Sequence, residues 1–157
     1  MDQRLISDVN ELISYDNRQG LLDFFKESAK TMLLETTTIV PWYWYTEVDR
    51  VRTLALHTNE ELLNLCEEIL LFHAEQNEAV KLPVYYVKSV VLGQSGRYLE
   101  ALELINNIIP LCQQITSITK KPLMYMYKFK LHIQQYEIPT PINEIEETLS
   151  LLEGSML

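Results

Sequence analysis

The segment LPVYYVKSVVLGQSGRYLEALELINNII, residues 82–109, holds two apolar helical patterns separated by a short polar break. On each side of GQSGR the apolar residues recur at three- and four-residue spacing, the period of helices that bury one face. Pro83 is placed for a helix's first turn, where its missing N–H has no partner to lose. Gly96 falls in the break. The segment predicts a helix, a turn and a second helix.

The same layout recurs on both sides. PWYWYTEVDRVRTLAL, from Pro41, breaks at HTN before EELLNLCEEILLFHAEQ. PLMYMYKFKLHIQQ, from Pro122, breaks at EIPTP before INEIEETLSLLE. The three prolines recur about every 40 residues, an interval typical of stacked helix pairs. Upstream, Leu5, Ile6, Val9, Leu12 and Ile13 form one stripe. Leu21, Leu22, Phe24, Phe25, Ala29, Met32 and Leu33 continue a second helix, which TTTIV and Pro41 end. Residues 1–40 are thus a degenerate terminal pair, residues 41–157 hold three repeats, and the whole is expected to be one all-α domain of about eight helices.

Composition narrows the function classes. At 157 residues, 47% apolar and 22% charged, the chain has the balance of a globular domain. A net charge of −9 argues against nucleic acid as the partner, because phosphate binding depends on Lys and Arg. Cys66 and Cys112 lie far apart within apolar helical patterns, which suits free thiols in a reducing compartment. With no apolar run of membrane-span length and no signal-peptide pattern at the start, a cytoplasmic protein with no membrane partner is expected.

The core of the segment quoted above, GRYLEALELI, resembles a tetratricopeptide repeat. Gly96 stands in its turn, Tyr98 opens the second helix, Ala101 is the small residue at the close approach, and Ile105 and Ile108 continue the packing face. Tyr85 and Leu92 fall at the large positions of the first helix and Ser89 at the small one. The neighbouring units depart from the motif: Leu62 stands where Ala101 would be, and IPTP replaces the glycine turn. The longer repeat is similar to the helical domains of Gram-positive peptide-pheromone receptors. This resemblance implies a right-handed superhelix of antiparallel helix pairs, with the first helices lining a concave groove for a protein or peptide partner.

Aligning the prolines then places Trp44, Tyr86 and Tyr125 at one equivalent groove position. Phe129 follows one turn later, with Val48 and Val90 as its equivalents. Arg52, Gln94 and His132 lie beyond, and Lys128 joins them as a polar reader. Tyr43, Tyr85 and Tyr127 are expected to pack between repeats. Four aromatics in a row cannot share one face, because neighbours on a helix are about 100° apart. Glu residues crowd the second helices, whereas Arg50, Arg52, Lys88, Lys128 and Lys130 lie on the first, predicting an acidic convex face.

No reaction chemistry is legible. His57, His73 and His132 lack partners at metal-ligand spacing. His73 stands two turns from Cys66, about 10 Å along a helix and too far for a nucleophile–base pair. The expectation is a non-enzymatic protein- or peptide-binding module without cofactor or metal. A small acidic chaperone, similar to those of bacterial secretion, is an alternative. Another is a homodimer joined through Ile145, Leu149 and Leu152 of the last helix.

Overall fold

The computed structural model describes residues 3–115 and 120–157. Among these, regular structure is helical throughout: α1 (Gln3–Ser14), α2 (Arg18–Met32), α3 (Val40–Thr53), α4 (Asn59–Phe72), α5 (Glu78–Gln94), α6 (Tyr98–Gln114), α7 (Lys121–His132) and α8 (Ile142–Ser155). A π-turn, Ile133–Glu137, extends α7.

Side-chain caps fix several starts. Asn17 accepts from the Gly20 N–H at α2. Thr58 and Glu61 form a reciprocal capping box at α4, each side chain bonding the other's backbone N–H. Pro41 and Pro122 lie in the first turns of α3 and α7, as the sequence predicts. Pro83 does not open its helix. Asn77 caps α5 earlier by accepting from the Ala79 N–H, and Glu78 places a carboxylate at the positive end of the helix dipole. Pro83 is therefore internal and buried.

Three residues follow helix ends in the left-handed region: Asp16 after α1, with φ of 50°, Ala55 and Gly96. Gly96, with φ of 82°, makes the tight α5–α6 turn without Cβ strain. Ala55, with φ of 55°, does the same after α3 with a Cβ present.

The helix α5 organises the packing. Val80, Val84, Val87 and Val91 form one stripe, which joins a cluster containing Leu21, Phe25, Trp44, Val48 and Leu65 from α2, α3 and α4. Leu82 and Tyr86 face the other way, into a cluster with Ile105, Ile108, Met126 and Tyr127 from α6 and α7. A helix apolar on two faces belongs in the interior. Ala101 is fully buried, with Leu92 and Ile133, in a third cluster.

Consecutive helices pack closely from α4 through α8, and α3 lies against both α2 and α5. The expected pairing of α3 with α4 is the exception. Their backbones make little close approach, and α2 packs against both instead. On α8, Leu152 is buried in the chain's own core, so it is unavailable to the expected dimer contact, whereas Leu149 remains 39% exposed.

Candidate functional site

Helix periodicity divides the aromatic run of α3. Trp44 points inward: it is fully buried, its indole Nε1 donates to the Phe25 carbonyl at 3.1 Å, and its ring meets Phe25 edge-on. The expectation that Trp44 lines a groove is therefore corrected. One residue on, about 100° around the helix, Tyr45 takes the place assigned to Trp44. Its ring stacks on Tyr86 with centroids 4.9 Å apart. Trp42 meets Tyr45 edge-on at 5.8 Å.

Tyr45, Thr46 and Tyr125 form a wall common to two adjoining depressions. The first, of about 410 Å³, is lined additionally by Ile39, Trp42, Tyr43, Lys121 and Pro122. The second, of about 530 Å³, adds Asp49, Arg52, Tyr86, Val90, Lys128 and Phe129. Of the residues selected from sequence, the second depression brings together Tyr86, Tyr125, Arg52, Lys128 and Phe129. Gln94 lies outside the lining but accepts from Arg52 Nη1 at 2.6 Å. His132 lines neither depression; its ring packs on Tyr136, and its Nε2 lies 3.6 Å from Glu137.

Polar groups around the second depression differ in how far they are committed. Arg52 Nε donates to Asp49 at 2.8 Å, and Gln94 Nε2 donates onward to Asn59 at 2.6 Å. This chain ties α3 to α5 and the start of α4, and it fixes the guanidinium. Lys128 has no carboxylate partner among the described residues; its ammonium lies 5.8 Å from the Tyr125 ring centroid. Burial, reinforced by the Asp49 carboxylate, pushes the Tyr45 hydroxyl well above its ordinary pKa. Burial and neighbouring Tyr45 act likewise on Tyr86. Both hydroxyls stay protonated across physiological pH.

Gly93 escaped sequence reasoning. A Cβ there would come within 3.0 Å of the Phe129 ring, so its absence lets α7 bring Phe129 against α5. An isolated glycine inside a helical pattern is the signal that would have flagged it. Tyr43 and Trp42 were also missed as lining residues. Tyr127 is buried in the cluster shared by α5, α6 and α7, and its hydroxyl accepts from Gln113 Nε2 at 2.8 Å.

The acidic second helices are only partly a free face. Glu67 pairs with Lys88 of α5 at 2.7 Å and Glu68 with Lys26 of α2 at 2.9 Å. No group of His, Cys, Asp and Glu side chains suited to a metal occurs among the described residues. Among the described residues, no helix is long and apolar enough to cross a membrane. No family model, curated protein or solved structure matches the chain.

Proposed function

We propose that this chain is a non-enzymatic protein- or peptide-binding module, built as a tetratricopeptide-like right-handed stack of helix pairs whose first helices present the binding face. The observation that carries this reading is the pair of adjoining depressions sharing Tyr45, Thr46 and Tyr125. Aromatic walls supply contact area at low entropy cost, and polar groups beside them orient a ligand. Lys128, a cation without a carboxylate partner among the described residues, favours a partner with an acidic group near the second depression.

Native mass spectrometry of the protein purified gently from its natural host tests this. A peptide or protein that co-purifies and is lost on Tyr125→Ala supports the reading. A ligand retained unchanged by that variant overturns it.

A second reading, self-association, rests on Ile142 and Leu149, which are 69% and 39% exposed at heptad spacing on α8. A ligand-free homodimer split by Leu149→Glu would favour it.

A further inference from the structure

We infer that the outer face of α8 takes an amphipathic helix of a partner protein, one whose apolar row is flanked by Lys or Arg. This face is separate from the two depressions, so the inference stands or falls independently of the binding-face reading.

The layout of side chains on α8 carries it. Ile142, Leu149 and Met156 form one row and are 69%, 39% and 59% exposed. Ile145 and Leu152 lie one row inward, and Leu152 is buried in the cluster built with α6 and α7. At about 100° per residue, Glu146 and Glu153 form the row on the opposite, outer side. Both are exposed. Positions i, i+3, i+4 and i+7 of a helix enclose a hole that receives one side chain of a facing helix. Ile142, Ile145, Glu146 and Leu149 make one such hole. Leu149, Leu152, Glu153 and Met156 make the next. Each has three apolar members and a carboxylate on its solvent side.

Spacing selects a helix as the occupant. The two holes are seven residues apart, about 10.5 Å along α8. A facing helix returns a side chain with the same seven-residue repeat. An extended strand returns one about every 6.6 Å and falls out of step at the second hole. Polyproline II returns one about every 9.3 Å and stops about 1 Å short.

Charge selects the kind of helix. α8 carries Glu144, Glu146, Glu147 and Glu153 and no Lys, Arg or His. None of these four forms an ion pair among the described residues, whereas Glu67, Glu68 and Glu100 of α4 and α6 are paired with Lys88, Lys26 and Arg97. A carboxylate at the rim of each hole complements Lys or Arg beside the entering side chain and repels an acidic helix. A second copy of this chain fits badly on the same grounds. Laid antiparallel, another α8 sets its Glu153 beside Glu146, between chains that each carry a net charge of −9. Laid parallel, Leu149 must enter a hole that includes Thr148 and Leu152, both already buried in the chain itself. The rims therefore set this inference against self-association through α8.

The test is phage selection on the full chain from peptides about three heptads long, with Leu fixed at the a and d positions and the flanking positions drawn from Lys, Glu, Gln and Ser. Calorimetry and circular dichroism with a selected peptide follow. The expected result is enrichment of Lys beside Leu and a gain of helix on binding. Leu149→Asn should weaken binding by about ten-fold or more, and Glu146→Lys with Glu153→Lys should turn the selection toward Glu. Tyr125→Ala should leave binding unchanged. Lys-rich peptides that hold Leu149→Asn as tightly as the wild type are reading overall charge, and they overturn the inference. So does a selection without preference for Lys, a peptide that binds without becoming helical, or one released by Tyr125→Ala. A homodimer in sedimentation that Leu149→Asn splits overturns it in favour of a second copy.

Discussion

Tyr45 of α3 lies flat against Tyr86 of α5, with ring centroids 4.9 Å apart and planes inclined by 13°. The stack joins two helices that also share the Arg52–Gln94 bond, so the wall between them is held at two levels. Tyr45→Ala should remove the stack and merge the two depressions. We expect a loss of about 1–3 kcal/mol in urea unfolding, from lost area and lost ring contact. Tyr125→Ala, at a residue 44% exposed, should change stability by no more than about 0.5 kcal/mol.

Trp44→Ala should be the most damaging change in the aromatic run. It opens a large cavity and removes one donor from the Phe25 carbonyl, which keeps Ser28 Oγ at 3.3 Å. Equilibrium denaturation should show a loss of about 3–5 kcal/mol. A loss below about 1 kcal/mol would contradict its burial.

Two of the left-handed residues, Gly96 and Ala55, predict opposite signs. Gly96→Ala meets no atom within 4 Å but forces a Cβ into a φ of 82°, so it should destabilise by about 1 kcal/mol. Ala55→Gly relieves the same strain and should stabilise by about 0.5 kcal/mol after the entropy of the unfolded chain is counted. Thermal melts of both variants check the pair.

At the start of α4, the Thr58 backbone N–H donating to Glu61 holds that carboxyl below its ordinary value of 4.5. A depressed carboxyl stabilises the fold above its unfolded pKa, and that contribution fades as pH falls through the folded value. Melting temperatures of the wild type should therefore drop more steeply below about pH 4.5 than those of Glu61→Gln, which keeps an acceptor and cannot titrate. Parallel curves would refute the assignment.

Burial pushes both Cys66 and Cys112 up to about 12. Neither should react with iodoacetamide at pH 8 in the native state, and intact mass should show two adducts only after denaturant is added.

Helix existence was legible because apolar spacing reports a buried face directly, as in Leu5–Val9 or Leu62–Leu65–Ile69. Helix starts were less so. The position of Pro83 suggests an opening residue, but the Asn77 cap and Glu78 outweigh it. The Thr58–Glu61 spacing carries a capping-box signature that fixes the start of α4. The candidate site was legible to within one residue on α3, where repeat alignment chose Trp44 and the structure puts Tyr45. Alignment to a proline fixes position along a helix but not which way the helix is rolled. That roll is set by whichever aromatic finds a buried acceptor, here the Phe25 carbonyl. Gly93 was invisible for a related reason: its role belongs to Phe129, which approaches from another helix.

The placement of α5 in all three apolar clusters carries a consequence for the order in which the molecule comes apart. Opening at α1 or α8 exposes one cluster and leaves the others closed, whereas nothing can release α5 without breaching every cluster at once. Amide exchange should therefore be graded along the chain, fastest at its two terminal helices and slowest between Val84 and Val91. A partner that bridges α3 and α7 across Tyr86 is lost only when those helices open, so its binding should slow exchange most between Val84 and Val91 and leave the fraying of α1 and α8 little changed.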